Sequence, residues 1–456
     1  MGASGGCQAT QIVTAQEWPP VSFPSHFMFT RRTLFVLAVL VALAVAAGVT
    51  ARYSAASVVE RIYRDARFQA AVAAFDQAYP TFVRDVVDIT EIPAPPFAEQ
   101  ARGAAVAALL RATNPTSVET DAEGNVLALR RGSAPGGPVV VIAAHLDTVF
   151  PAGTDVTVKK SGTRLAAPGI GDNAQGLAFL VAISRALDAA KVPLTSDLIL
   201  MADVGEEGDG DLRGMKAFFA QARYKDRVRA FVSIDGAGDG SMITTQAVGS
   251  RRYRVTFRGP GGHSYGAFGL VNPANALATA IQKLGTTRVP STPRTTFNVG
   301  AIGGGTSVNT IPASAWMDVD LRSEGAAELD ALDRAFRTAM AEAADVENRS
   351  RSIEEGRITV EIAATGARPA GRTAATSRVV STAVAAWRFL NLTPEFGASS
   401  SDANWPMSLS IPSITVDTGL PGGRPHAPDE WIDVDKRYAV AGFSRLLLLT
   451  MSLTGL

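Results

Sequence analysis

The sequence predicts an α/β protein: a mainly parallel sheet flanked by helices, interrupted by an inserted α+β domain of ferredoxin-like order. Three observations carry this expectation. Short, continuous apolar runs such as Val139–Ile142 and Leu198–Val204 read as strands buried on both faces. Between such runs lie segments with apolar residues at helical spacing, as at Leu177, Leu180, Ile183 and Leu187. Strands that alternate with helices imply parallel neighbours. Near Val248 the pattern changes to alternating, half-exposed strands in the order β-α-β-β-α-β, and helix–strand alternation resumes after Pro369. A chain of 456 residues also exceeds the size at which single cores usually split.

In chain order, residues 1–30 show no convincing periodicity and contain Pro19-Pro20, which suggests a disordered leader or an over-long translated start. Residues 31–54 hold Arg31-Arg32 followed by Thr33–Ala51, a charge-free apolar run of membrane-spanning length. The expectation is a single N-terminal membrane anchor, basic end inside, with the body extracytoplasmic. The rival is a cleaved signal peptide and an exported protein, although the run exceeds the usual apolar core of roughly 7–15 residues. Residues 55–246 form the first part of the outer, catalytic domain. Its expected elements are a helix over 55–87, a helix Ala101–Ala112, strands Gly124–Leu129 and Pro138–Ala144, a helix Gln175–Ala190, and strands Leu198–Val204 and Ala230–Ile234. Residues 247–368 form the insertion, with strands Arg252–Arg258, Thr295–Ile302, Ala315–Leu321 and Ile358–Ala363 and helices Pro273–Leu284 and Glu324–Ala344. Residues 369–456 complete the outer domain through helix Ser377–Phe389, strand Ile411–Asp417 and a closing helix from Lys436.

Composition narrows the chemistry. The formal net charge is zero, so no global field attracts nucleic acid, and no nucleic-acid partner is expected. The one cysteine, Cys7, lies in the leader, so any metal in the body must be held by histidine and carboxylate. Five segments place such groups where strands should stop: His145-Leu-Asp147, Gly171-Asp172-Asn173, Gly205-Glu206-Glu207-Gly208, Ser233-Ile-Asp235-Gly236 and Pro425-His426-Ala427-Pro428. The C-terminal edge of a parallel sheet is where ligands gather in such folds. Buried carboxylates are costly unless paired or bound to a cation, and several converging on one edge call for a cation. Nitrogen and carboxylate oxygen together suit zinc, with cobalt or manganese as alternatives. Asp209 and Asp211, in the same Gly-rich stretch as the glutamate pair, read as solvated loop residues.

HLDTV, GIGDNAQG, GEEG and PHAPDEW occur here in the order found in the di-zinc metallopeptidase/aminoacylase family, which the chain resembles from roughly Pro80 to its end. That family includes aminoacylases, desuccinylase and acetylornithine deacetylase enzymes, carboxypeptidase G and peptidase T-like exopeptidases. The resemblance implies a zinc-exopeptidase outer domain, with the insertion acting as lid and dimerisation domain. It implies two Zn2+ ions: His145 and Asp235 on one, Glu207 and His426 on the other, and Asp172 bridging both. Asp147 would orient His145, and Glu206 would act as general base and then general acid. Where the family shows a second acidic or similar polar residue after the bridging aspartate, this chain has Asn173. In the insertion, His263 would reach across a homodimer interface to polarise the scissile carbonyl, and Asn309 would hydrogen-bond substrate. Arg322 is either a substrate-carboxylate ligand or an ordinary strand-end arginine.

The functional expectation is a zinc-dependent hydrolase of small peptides, a di-/tripeptidase or aminopeptidase-like exopeptidase. Asp235 tilts towards peptidases, since deacylase and carboxypeptidase members more often carry glutamate there. The alternative is an N-acyl amino-acid deacylase on the same site, and a remoter one is a non-catalytic membrane-anchored binding protein. Ser399-Ser-Ser-Asp402 lacks a nucleophile elbow, which argues against a serine hydrolase. It is expected instead to close the floor of the site.

Overall fold

The computed structural model describes residues 55–134 and 136–456. The leader and the apolar run Thr33–Ala51 lie outside the described residues, so the anchor and signal expectations fall there. Among the described residues no helix is long and apolar enough to cross a membrane.

The outer domain opens with helix α1 (55–64) and α2 (Ala66–Thr90). One continuous helix was the sequence expectation. The break falls at Asp65, whose extended backbone and side-chain bond from Arg67 N (2.9 Å) make it an N-cap. Then follow α3 (Gln100–Arg111), the hairpin β1 (Ser117–Thr120) and β2 (Val126–Arg130), and β3 (Val139–His145). A second hairpin, β4 (Lys159–Ser161) and β5 (Arg164–Ala166), leads to α4 (Gln175–Ala189). After β6 (Asp197–Asp203) come α5 (Arg213–Ala220), α6 (Ala222–Lys225), β7 (Val228–Ile234) and β8 (Met242–Ala247).

The insertion holds β9 (Gly249–Arg258), the short β10 (Gly262–His263), α7 (Pro273–Gly285) and β11 (Thr295–Gly304). It continues with β12 (Thr310–Ile311), β13 (Ser314–Ser323), α8 (Ala326–Ser350) and β14 (Thr359–Arg368). The chain returns through β15 (Gly371–Arg372), α9 (Arg378–Phe389), β16 (Glu395–Ser399) and α10 (Asn404–Ser408). It ends with β17 (Ser413–Val416), β18 (Gly422–Gly423), β19 (Trp431–Asp433) and α11 (Lys436–Thr454).

The main sheet runs β1-β2-β6-β3-β7-β17-β8-β15, with β16 beside β8. Its centre, β6-β3-β7-β17, is parallel, whereas β1-β2, β2-β6, β17-β8 and β8-β15 are antiparallel. The sheet is therefore mixed, with the expected parallel strands at its centre and antiparallel ones on its flanks. The reason is local: β1 and β2 are joined by a tight turn in which Asp121 Oδ1 accepts three main-chain N–H groups, a connection open only to antiparallel strands. Every residue of β3 and β6 is buried, which explains their apolar interiors, Val139–Ala144 and Leu198–Ala202. One sheet face packs on α2, α4 and α11 through side chains such as Phe82, Phe179, Leu180 and Phe443. The other face packs on α5 and α10 through Phe218, Phe231 and Met407. Each fully buried Val, Leu, Ile or Phe contributes roughly 1.5–3 kcal/mol, which makes this framework a stiff mount for polar side chains at its rim.

The insertion has its own core and its own antiparallel sheet, β11-β13-β9-β14. Strand β13 alternates buried and half-buried along its whole length, with Ala315, Met317, Val319 and Leu321 against α7 and α8. The opposite face is polar: Arg254 pairs with Asp318 at 2.6 Å and stacks over Trp316.

Candidate metal centre

The C-terminal edge of the parallel centre delivers the site. His145 is the last residue of β3, Glu206 and Glu207 follow β6, and Asp235 follows β7. Asp172 comes from the irregular turn Ile170–Ala174 before α4, and His426 from the loop between β18 and β19.

These six residues converge. His145 Nε2 lies 2.8 Å from Asp172 Oδ1 and 3.7 Å from Asp235 Oδ1. His426 Nε2 lies 3.2 Å from Asp172 Oδ2 and 3.2 Å from Glu207 Oε1. Asp172 thus turns one oxygen to each of two nests, His145/Asp235 and Glu207/His426. In each nest the three candidate ligand atoms lie within 4.8 Å of one another, and His145, Glu206 and Glu207 form a third such group. Among the described residues, buried His145 Nε2 and Asp172 Oδ1 make no hydrogen bond despite their closeness. Two such atoms side by side and unbonded are what ligands of one cation would present. The donor set of imidazole and carboxylate fits two divalent ions.

Electrostatics agree with the geometry. Burial lowers the His145 pKa, but the carboxylates of Asp147, Asp172 and Asp235 outweigh it and hold it well above the usual range. Hydrogen bonds to Asp172 and Glu207 raise His426 to about 10. Burial alone would raise Asp172, yet the two imidazoles pull it far below the usual carboxylate range. Burial pushes Glu206 well up, against the pull of Arg368. Glu207 is also raised by burial. A cluster this rich in carboxylates needs positive charge, which protons or cations can supply, so cation binding here releases protons.

Asp147 meets His145 through both its carboxylate, 3.7 Å from Nδ1, and its main-chain carbonyl, 3.1 Å from the same nitrogen. The carboxylate also accepts the main-chain N–H of Glu206 (3.0 Å) and of Glu207 (2.8 Å). Fully buried, it finds its strongest donors in two amides, so it fixes the glutamate loop directly.

Asn173 is buried and donates to Ile234 O at 2.7 Å, tying the Asp172 turn to the strand that carries Asp235. Glu430, also buried, accepts Gly169 N–H at 3.0 Å, and burial raises it to about 7. Beside Asp172 opens a cavity of about 270 Å³ lined by Gly236, Gly422, Gly423, Glu430 and Trp431. Two fully buried carboxyls, Asp203 and Asp402, face each other near the cluster, and among the described residues their oxygens have no hydrogen-bond partner. Burial pushes both up, Asp203 to about 7.

Ser400 of the Ser399–Asp402 segment lies close to Glu206 through Arg368, from which its Oγ accepts at 3.2 Å. Arg368 was not singled out in the sequence. It donates to Glu206 Oε1 at 2.8 Å and to the Glu206 main-chain carbonyl, and both side chains are buried. Asp211 is not simply solvated: it accepts Ala367 N–H at 2.8 Å and pairs with Lys216 at 2.5 Å.

In the insertion, His263 and Asn309 are neighbours. Strands β10 and β12 pair Gly262 with Ile311 and His263 with Thr310, and Ser264 N donates to Asn309 O at 2.9 Å. His263 is exposed, and its Nδ1 accepts from the main chain of Tyr265 and Gly266, which leaves Nε2 facing outward. Neither residue joins the metal cluster among the described residues. Arg322 is engaged by Asp320 at 2.7 Å on the polar face of the inserted sheet, the contact of a strand-end arginine.

Fold and site together describe an α/β outer domain with a candidate two-ion centre at its sheet edge and an inserted α+β domain. Residues 125–257 match the model of Peptidase family M28, and residues 245–348 match that of the peptidase dimerisation domain, M20_dimer. A probable carboxypeptidase of Aspergillus clavatus is 30% identical over 265 residues, 53% of this chain and 57% of that protein. The chain therefore aligns with little more than half the length of that relative. Solved structures share the fold, among them the following two. Aminopeptidase PepT from Bacillus cereus has a TM-score of 0.67 at 20% identity, over 83% of this chain and 99% of that one. YXEP from Bacillus subtilis, described as a dinuclear metal-binding peptidase of the M20 family, has a TM-score of 0.60 at 16% identity, over 83% and 99%.

Proposed function

We propose that this chain is a di-zinc exopeptidase of small peptides, of the di-/tripeptidase or aminopeptidase kind. The observation that carries the reading is Asp172, whose two oxygens face two separate His/carboxylate nests. His145, Asp172 and Asp235 would hold one ion, and Asp172, Glu207 and His426 the other, with cobalt or manganese as possible substitutes for zinc. Bound divalent ions would supply Lewis acidity at the scissile carbonyl and lower the pKa of the attacking water. Glu206 takes the proton from that water and returns it to the leaving amine nitrogen. Arg368 occupies Glu206 Oε1, which leaves Oε2 to carry the proton. Asp147 holds the loop on which both glutamates sit. His263 and Asn309 act from the partner protomer of a homodimer, where outward-facing Nε2 of His263 donates to the developing oxyanion.

Asp235, in place of glutamate, favours peptides over N-acyl amino acids, and the likeness to aminopeptidase PepT points the same way. The second reading, an N-acyl amino-acid deacylase, uses the same residues. The basic-flanked apolar run Thr33–Ala51 supports a protein held at a membrane by one N-terminal helix, body outside the cytoplasm, or exported after cleavage. A substrate panel decides between the activities. Residues 52–456, supplied with zinc, cobalt or manganese, should cleave di- and tripeptides faster than N-acyl amino acids. The reverse preference selects the deacylase. Glu206→Gln should abolish turnover with metal content near wild type, and a loss of metal there would reassign the roles of Glu206 and Glu207.

A further inference from the structure

Arg368 closes the inserted domain and yet is buried against the loop that carries the glutamate pair. Its Nη1 donates to Glu206 Oε1 at 2.8 Å, and its Nη2 donates to the main-chain carbonyl of the same residue. Ser400 Oγ takes a third bond at 3.2 Å. Two more links join the same loop to the insertion: Ala367 N to Asp211 Oδ1 at 2.8 Å, and Arg252 Nη1 to Gly208 O at 3.0 Å. Arg252 lies on β9 and Ala367 on β14, adjacent strands of the inserted sheet. The segment Glu206–Asp211 is therefore gripped by the insertion at three points, one of which is the carboxylate itself.

We propose that Arg368 is a positioning residue for Glu206: its fork fixes the carboxylate and main chain of the proton carrier and ties them to the placement of the inserted domain. The physical basis is the two-point grip. A guanidinium can hold a carboxylate oxygen and a carbonyl at once in a planar geometry, which a point charge cannot. A buried carboxylate beside Glu207 would otherwise be both unpaired and free to rotate. The inference rests on the assignment of Glu206 as the proton carrier.

The test compares full-chain Arg368→Met, Arg368→Lys, Glu206→Gln and the double variant Glu206→Gln/Arg368→Met on the tripeptide that the wild type cleaves best. A misplaced catalytic group costs on the order of a hundredfold. Arg368→Met should therefore lower kcat by about that factor with KM within about threefold and two metals per protomer retained. Arg368→Lys should recover about tenfold of the loss, because it restores the charge but only one of the two contacts. The double variant should be no slower than Glu206→Gln alone on residual turnover, since Arg368 acts through Glu206, and a further loss overturns the inference. Wild-type kcat in Arg368→Met, with Glu206→Gln inactive, overturns this inference alone. Full activity in Glu206→Gln overturns the reading beneath it. A raised KM with unchanged kcat makes Arg368 a substrate ligand, and loss of metal makes it a support of the ions; either result also overturns the inference. Should Arg368→Met fail to fold, Arg368→Lys decides: lowered kcat at retained KM supports the proposal, and wild-type kcat refutes it.

Discussion

The Asp147 carboxylate accepts two main-chain N–H groups, from Glu206 and Glu207, and both residues place their carboxylates in the cluster. Asp147→Asn turns one acceptor oxygen into an N–H donor that must face another N–H. The loop should shift, and metal affinity should fall by about 10–100-fold, the usual cost of a lost outer partner. Calorimetric metal titration reads this directly, and unchanged affinity would count against the role given to Asp147. His426 offers a pH test. Its pKa is raised to about 10 by Asp172 and Glu207, so in chelator-treated protein its charged form stabilises the fold fully below about pH 6.5, the ordinary histidine value, and this contribution is lost as pH rises towards 10. The gap in melting temperature between wild type and His426→Ala should accordingly be widest at low pH and narrow as pH rises; a pH-independent gap contradicts it. The cluster was legible because each member sits beside a strand end or in a Gly/Pro-rich motif. Arg368, Asp203, Asp402 and Glu430 were not, because nothing local marks them. Arg368 meets Glu206 across a sequence separation of 162, and Asp402 lies in a serine run that read as a floor segment without a partner.

At the scale of the element, the turn after β6 explains why glycine surrounds the glutamates. Gly205 has φ of 70°, and a Cβ there would come within 2.6 Å of Arg213 Cγ. Gly210 packs so tightly that its own Cβ would lie 2.5 Å from Gly205 Cα. Gly205→Ala should destabilise the protein by about 1–3 kcal/mol, the usual range for a residue forced into the left-handed region, and should weaken metal binding as the loop moves. Urea unfolding with and without metal measures both effects, and a variant as stable as wild type would show that the turn tolerates a side chain. The same scale separates what sequence pattern reveals from what it hides. Fully buried β3 and β6 and nearly buried β7 announce themselves through apolar runs, and β9 and β13 through alternation. Strand β1 is half exposed and polar, and β8 carries three polar residues, so neither shows a hydrophobic period. Only their partners in the sheet make them strands, and with them the sheet becomes mixed.

For the whole molecule, the two hydrophobic cores and the match of residues 245–348 to a dimerisation domain describe an insertion with work beyond covering the site. His263 and Glu206 lie on different domains, and His263 stays outside its own cluster among the described residues. If the partner's copy completes the site, His263→Ala and Glu206→Gln should each be inactive alone and regain measurable activity when mixed and allowed to exchange protomers. A mixture that remains inactive after exchange, verified by native mass spectrometry, would confine catalysis to one protomer.

The register of the inserted sheet pairs Ser250 directly with Arg368, so the insertion begins and ends at the same place. During chain collapse this matters for β7 and β17, which are parallel neighbours although the insertion separates them in sequence. Loop-closure entropy grows with the length of free chain between two contacts, by about 0.6 kcal/mol per doubling. Once the insertion has folded, its length no longer counts, because the chain re-emerges beside the point where it left. An extra domain that seems to burden the topology thereby adds little to the loop the halves of the outer sheet must close.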